Sequence, residues 1–147
     1  MKPEVYFLRY AFPCARVLVD IRKTITEEEF EKLEQAVKTD TPIDRSYLEK
    51  IFIKAVEGMK KISNDIWNIE TIRKYFQEGH ENSISKDLPS MIQRLCKIKK
   101  GILIDKKKGV FIAELENEKR NIIPLYKNPE IGDKVIIHYG YAVEKLS

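Results

Sequence analysis

The chain has 147 residues, of which 43% are hydrophobic and 34% are charged, and its formal net charge is +4 at pH 7. This length suits one ordinary domain or two small ones, and the composition excludes an intrinsically disordered chain. No apolar run approaches the roughly 20 residues that cross a bilayer, and Arg9, Pro13 and Arg16 interrupt the first apolar stretch. We therefore expect a cytoplasmic protein with no membrane span and no signal peptide.

The few cysteines and histidines limit the kinds of metal site that this chain forms alone. Cys14 and Cys96 lie far apart, and neither belongs to a CxxC pair. Two free thiols are expected in a reducing compartment, and a closed structural zinc site is not. Cys14 follows Pro13 in an apolar stretch, which favours core packing; the alternative is that it supplies a second thiol if the N-terminal segment folds over the barrel. His80 follows Gly79 in a polar turn, which favours a solvated imidazole.

The first part of the chain predicts helices almost throughout residues 1–95. Apolar residues recur at helical spacing in the N-terminal segment, where Pro13 is expected to kink or split the helix. In "TITEEEFEKLEQAVK", Thr26 is the expected N-cap, and Glu29 occupies the position that completes a capping box. This segment predicts a second helix, whose charged face points to solvent.

Two longer helices and a short one are predicted next. In "TPIDRSYLEKIFIKAVEGMKKI", Thr41 is the expected cap, Pro42 suits the first turn, and one apolar stripe continues to Ile62. The following helix is predicted from Trp67 to residue 78, and a short one follows residue 87. Together these segments predict a helical bundle.

The hydrophobic period changes from helical spacing to two after Leu95. The stretches "CKIKKGILID", "GVFIAELE", "NIIPLY" and "DKVIIHYGYAVEKL" predict four short strands, separated by turn-forming sequences. Short strands without intervening helices predict an antiparallel sheet curled into a small barrel. The fold class is therefore α+β, with a helical domain over residues 1–95 and a β-barrel domain over residues 96–147.

The last predicted strand carries a histidine beside two very small side chains. If residues 132–146 run as one strand, Val135, Ile137 and Tyr139 face the core. His138 then lies on the opposite face with Gly140 and Ala142, which leave its imidazole open to a partner. This interpretation requires that no bulge interrupts the strand.

The residues of this segment resemble the end of the HypC/HupF family of [NiFe]-hydrogenase maturation chaperones. The resemblance is carried by Gly132, Asp133, Val135, His138, Gly140, Ala142 and Lys145, and Cys96 precedes Gly101 at the family's cysteine-to-glycine spacing. It covers about residues 95–146. Here Cys96 is internal, whereas the family's cysteine follows the initiator methionine, and Lys100 replaces the family's proline.

The resemblance implies an OB-like barrel and a role in assembling a metalloenzyme. Its implied partners are a HypD-type scaffold protein and the precursor of the hydrogenase large subunit. Its implied cargo is iron, held transiently with cyanide and carbonyl ligands by Cys96 and His138. The alternative is that Cys96 is a buried, unreactive thiol at a helix end and His138 a partly exposed strand histidine bonded to a neighbour. The implied partner-binding residues are Cys96, Gly101, His138, Gly140, Ala142 and Lys145. Thiolate and imidazole are suitable iron ligands, and two protein ligands leave positions open for delivery.

Two other functions remain open from the sequence. An OB-like barrel with Lys106, Lys107 and Lys108 at its first hairpin suits single-stranded nucleic acid, although acidic residues on the adjacent strand make nucleic acid the less favoured partner. Alternatively, the helical domain is a protein-interaction adaptor, with Trp67 and Tyr75 as anchors. No nucleophile elbow, phosphate-binding loop or dinucleotide motif occurs, so an enzyme is not expected.

Overall fold

A computed structural model describes residues 1–146, without the side chains of residues 82 and 83. Contacts divide the chain into two compact units, Met1–Ser85 and Lys86–Ser147. We call them the helical unit and the barrel unit and describe each by itself. The sequence favoured a boundary between residues 95 and 96, with a hinge at residues 86–89 as the second choice. The contacts divide the chain at the start of that second stretch, so the short helix that ends at Cys96 groups with the barrel.

The helical unit consists of short helices joined by irregular helical turns. Its α-helices are α1 (Pro3–Ala11), α2 (Ala15–Asp20), α3 (Glu27–Lys38), α4 (Arg45–Ile51), α5 (Ile53–Lys60) and α6 (Ile69–Lys74). The segments Phe12–Cys14 and His80–Ser83 are 3₁₀ turns, and Tyr75–Gly79 is a π-helical turn. In the part of the chain that the structure describes, no helix has the length and apolarity needed to cross a membrane.

Local signals explain two of the helix boundaries. The capping box predicted before α3 is confirmed, because the Thr26 hydroxyl accepts from the Glu29 backbone N–H and the Glu29 carboxylate accepts from the Thr26 N–H, both at 3.1 Å. The split predicted at Pro13 is confirmed, because α1 and α2 are separated by the 3₁₀ turn that contains this proline. Each device operates within a few residues.

Two boundaries differ from the prediction in the next segment. Thr41 does not cap a helix: the cap of α4 is Asp44, whose carboxylate accepts from the Ser46 backbone N–H at 2.8 Å. The continuous helix predicted over this stretch is wrong as well, because Phe52, with φ −101° and ψ 53°, separates α4 from α5. The Phe52 ring packs edge-on against Phe7, with centroids 5.6 Å apart, a tertiary contact that spacing does not reveal.

Aromatic rings dominate the core of the helical unit. Phe7 and Phe76 are 0% and 2% exposed, and their centroids lie 5.8 Å apart. Tyr10 stacks on Phe76 at 5.2 Å, and Tyr75 meets the same ring edge-on at 4.9 Å. Stacked, tilted and edge-on arrangements such as these are the favourable geometries for ring pairs.

The barrel unit begins with a short helix and continues with β-strands. Its elements are α7 (Ser90–Cys96), β1 (Lys99–Lys107), β2 (Val110–Glu114), β3 (Lys119–Pro124), β4 (Lys134–His138) and β5 (Tyr141–Lys145). The strands close into a barrel in the order β1-β2-β3-β5-β4. β4 returns beside β1, as in a Greek key, and all pairs are antiparallel except the parallel pair β3–β5. The predicted α+β fold, with helices before a barrel, is confirmed at this level.

The uninterrupted last strand is wrong, because residues 132–146 contain a hairpin. Tyr139 adopts a left-handed conformation with φ 59°, and His138 pairs with Tyr141 across the turn. The reversal resets the alternation of side chains, so that Ala142 pairs with Ile137 and joins it in the barrel core. A bulky tyrosine is an unusual residue for this conformation, which is why the sequence pattern did not predict the turn.

Small and aliphatic side chains fill the barrel interior. The core consists of Leu103, Phe111, Ala113, Leu115, Ile122, Val135, Ile137 and Ala142. These residues come from all five strands and the turn after β2, so that closing the barrel buries them together. Buried and more exposed residues alternate along much of β1 and β2, in agreement with the predicted alternation.

Candidate functional site

The structure brings the two predicted iron ligands onto neighbouring backbone segments. Cys96 is the last residue of α7, and His138 is the last residue of β4. The backbone N–H of Tyr139 donates to the Leu95 carbonyl at 3.1 Å, and the Cys96 thiol donates to the Tyr139 hydroxyl at 3.8 Å. The residues directly beside the predicted ligands therefore hold the end of α7 against the β4–β5 hairpin.

Both predicted ligands are covered. Cys96 is 4% exposed, and His138 is 0% exposed. The expectation of an imidazole open to a partner is wrong for this conformation. The physical reason begins with the hairpin: β4 ends at His138, so Gly140 and Ala142 do not flank the imidazole along one strand. The His138 ring lies beside that of Tyr139, with centroids 6.0 Å apart.

Cys96 has few side chains nearby that bind metals. Among the residues that the structure describes, Cys96 belongs to no group of three or more Cys, His, Asp or Glu side chains with ligand atoms within 4.8 Å of one another. A tetrahedral zinc site closed by protein ligands requires four. The side chains near Cys96 therefore do not form a closed site, and an ion bound to this thiol would need additional ligands.

Three contacts stabilise the unusual conformation of Tyr139. Besides the bonds to Leu95 and Cys96, the Tyr139 carbonyl accepts from the Arg120 guanidinium at 2.8 Å. Arg120 also binds the Glu118 carboxylate at 2.6 Å, and this hydrogen bond holds the pKa of Glu118 below its ordinary value. Because left-handed backbone costs free energy at a non-glycine residue, the conformation requires such anchors. They set the position of the hairpin that follows His138.

The two glycines predicted for partner binding have different surroundings. Gly101 is buried in β1, where an added Cβ would lie 2.6 Å from the Ile137 Cδ1 and 3.0 Å from the Glu114 carbonyl oxygen. This close packing explains the glycine without a partner. Gly140 is half-buried in the turn, and an added Cβ would meet the Asn121 carbonyl oxygen at 3.7 Å, an ordinary contact distance.

Ala142 and Lys145 also have contacts inside the barrel unit. Ala142 is fully buried in the core, and the Lys145 ammonium lies 3.3 Å from Asp133. The Asp133 carboxylate accepts from the Glu130 backbone N–H at 3.0 Å and from the Tyr126 hydroxyl at 2.8 Å. The Glu130 hydrogen bond, with those of Tyr126 and Lys145, lowers the pKa of Asp133. This network joins the turn before β4 to the end of β5.

The six predicted partner-binding residues therefore do not share one exposed face. Cys96, Gly101, His138 and Ala142 are buried, Gly140 is half-buried, and Lys145 is exposed and paired. The three lysines considered for nucleic acid are exposed at the β1–β2 turn, with acidic Glu114 also exposed at the end of β2.

Sequence reasoning missed a second cysteine–histidine pair, which lies within the helical unit. The Cys14 sulfur and a ring nitrogen of His80 are within 4.8 Å of each other. Cys14 is half-buried, and His80 is 9% exposed, so the expectation of a solvated imidazole is wrong. No spacing signal links two residues so far apart in the chain. Only the folding of the π-helical turn against the N-terminal segment brings them together.

Comparisons with known proteins add no relative. No protein-family model matches the chain, and no curated protein matches it at a significant level. The likeness to the HypC/HupF family rests on the residues quoted for it and stays a prediction.

Proposed function

We propose that this protein is an assembly chaperone of the HypC/HupF type. It acts in the cytoplasm by binding rather than by catalysis, and its partners are a HypD-type scaffold and the precursor of a [NiFe]-hydrogenase large subunit. One observation carries the proposal: the end of α7, with Cys96, is hydrogen-bonded to the β4–β5 hairpin, with His138. Cys96 and His138, which precede β1 and end β4 respectively, thus lie on adjoining backbone segments, as a shared function requires.

The architecture of the barrel supports an OB-like fold. OB folds are five-stranded Greek-key barrels, and the order β1-β2-β3-β5-β4, with β4 beside β1, is consistent with that description. In such a barrel the segment that enters β1 and the β4–β5 hairpin are placed at one end by the strand pairing. The pair Lys99↔Ile137 sets this register here.

The cargo of the proposed chaperone is iron carrying diatomic ligands. A thiolate and an imidazole are the donors that the protein contributes, and both suit iron. Because Cys96 and His138 are buried, loading requires that they be uncovered, and binding of the scaffold is the step that uncovers them. The Tyr139 turn is the element that moves, since its left-handed backbone favours release once an anchor is lost.

Co-purification tests this function directly. The full chain is expressed with a HypD-type scaffold and, separately, with a large-subunit precursor, and the captured protein is quantified. We expect capture by the wild type and loss of most capture in Cys96→Ser and in His138→Gln. Iron content of the captured complex, measured by elemental analysis, should fall in the same variants.

Two controls separate a lost site from a lost fold. Cys14→Ser removes the thiol of the helical unit and should leave capture unchanged. Ile136→Val trims a buried residue of β4, 1% exposed, and should also retain capture. Circular dichroism and thermal unfolding confirm that each variant is folded. Equal capture by the wild type, Cys96→Ser and His138→Gln, or no capture by any of them, contradicts the proposal.

A further inference from the structure

We propose that Cys14 and His80 are two ligands of a zinc-type cation site in the helical unit. The sulfur and a ring nitrogen lie within 4.8 Å of each other. This inference concerns different residues from the proposed chaperone site and does not rest on it.

The separation of the two ligand atoms suits a shared ion. Zinc–sulfur and zinc–nitrogen bonds of ordinary length at a tetrahedral angle place the sulfur and nitrogen about 3.6 Å apart. A pair within 4.8 Å reaches that separation by a small rotation of the Cys14 side chain. Thiolate and imidazole together favour zinc and neighbouring transition metals, whereas magnesium and calcium prefer oxygen ligands.

Two irregular helical turns place these side chains. Cys14 ends the 3₁₀ turn between α1 and α2, and His80 directly follows the π-helical turn Tyr75–Gly79. π-helical turns are rare in helices, and those that occur are often found at functional sites. Here the π-helical turn changes the direction in which His80 projects from the helix axis. A continuous α-helix would place the His80 side chain on another side of the helix.

The imidazole of His80 is held in a defined orientation. Its ring lies 5.9 Å from Tyr75, nearly perpendicular at 80°, and 5.5 Å from Phe76, at 41°. These aromatic contacts fix the ring plane, and the ligating nitrogens lie at the ring edge. A ligand whose rotamer is already fixed loses little conformational entropy when it binds an ion.

Two protein ligands do not complete the coordination shell of a zinc-type ion. Cys14 is half-buried rather than fully enclosed. A tetrahedral ion held by this pair keeps positions that water or another donor occupies, in contrast to a closed structural site. The cation would therefore be exchangeable, and chelators should remove it without unfolding the helical unit.

Cobalt(II) titration of the reduced full-length protein tests the site. We expect uptake of one ion with a sulfur-to-cobalt charge-transfer band, and displacement of that band by zinc. Cys14→Ser should lose the band, and His80→Gln should weaken binding by roughly tenfold or more, since even outer partners of metal ligands contribute that much. Cys96→Ser, which removes the other thiol, is the matched control and should keep the band.

A second measurement requires no variant and therefore no assumption about folding. Zinc should slow alkylation of Cys14 by iodoacetamide in the wild type, as followed by mass spectrometry of the peptide that contains it. An unchanged alkylation rate, no cobalt band in the wild type, or a band that persists in Cys14→Ser overturns the proposal. A band lost only in Cys96→Ser would assign the metal to the other thiol and overturn it equally.

Discussion

The helical unit and the barrel unit are specified by interactions of different range. The start of α3 depends on Thr26 and Glu29, three residues apart, which cap each other. Closure of the barrel depends on the pairing of β1 with β4, in which Lys99 pairs with Ile137, a residue far from it in the sequence. Local sequence therefore determines many helix ends, whereas strand ends depend on partners that are distant in the chain.

The hydrophobic cores of the two units also differ, in the size of the side chains that fill them. Phe7, Tyr10 and Phe76 form a cluster of rings in which each side chain buries a large area. The barrel core contains mostly Leu, Ile, Val and Ala, so its stability depends on close fit among many smaller contacts. Single substitutions should thus have different consequences in the two units.

The largest expected effect is the removal of a ring from the helical core. Phe76→Ala leaves a cavity where Phe7, Tyr10 and Tyr75 now make contact. It should reduce the free energy of unfolding by about 3–5 kcal/mol, measured by urea unfolding followed by circular dichroism. Phe76→Leu keeps much of the apolar volume and should lose less; an equal loss for both variants would contradict the cavity explanation.

A methyl group tests the close fit of the barrel. Gly101→Ala places a Cβ against Ile137 and a backbone carbonyl of Glu114, and overpacking of this kind costs about 1–3 kcal/mol. Gly140→Ala is the matched control, because its Cβ meets an ordinary contact distance, and it should change stability by about 0.5 kcal/mol or less. Equal effects at both glycines would show that packing around Gly101 does not explain this residue.

Helix capping in the segment before α4 tests local control of the helical unit. Asp44→Ala removes the carboxylate that accepts from the Ser46 N–H and should cost about 1 kcal/mol. Thr41→Ala, at the position that the sequence favoured, should cost about 0.5 kcal/mol or less, since the Thr41 hydroxyl is hydrogen-bonded to that of Thr39 at 2.7 Å and the cap of α4 is Asp44. Thermal unfolding of both variants decides; a larger loss for Thr41→Ala would restore the original interpretation.

The smallest expected effect depends on pH and lies in the barrel. The pKa of Asp133 is lowered, first by the Glu130 hydrogen bond, so its ionised form stabilises the folded state. This contribution is complete above the unfolded pKa of about 3.9 and is lost as pH falls through the lower folded pKa. Asp133→Asn should cost at most about 1 kcal/mol at neutral pH, because an amide oxygen still accepts the Glu130 bond.

Urea unfolding from neutral to strongly acidic pH measures that difference. The gap between the wild type and Asp133→Asn should narrow as the pH falls below the unfolded pKa of the carboxyl group. A gap that is the same at every pH would show that the loss comes from packing and not from charge.

Much of the fold was predictable because its signals are periodic or local. The change from helical spacing to alternation near Leu95 predicted helices before a barrel, and the Thr26 capping box predicted the start of α3. Pro13 predicted the split between α1 and α2. Each signal involves backbone hydrogen bonds or steric limits within a few residues, and these operate in any tertiary context.

Only the tertiary structure decided where the last strand turns and which side chains meet. The left-handed Tyr139 is stabilised by bonds from Arg120 and to Leu95, so the hairpin exists because of residues outside it. Without that turn the alternation rule assigns Ala142 to the wrong face and His138 to an open one. The Cys14–His80 pair likewise arises from packing of separate turns. Sequence by itself determined the kinds of element and several of their ends, because those depend on near neighbours; contacts between distant residues required the folded chain.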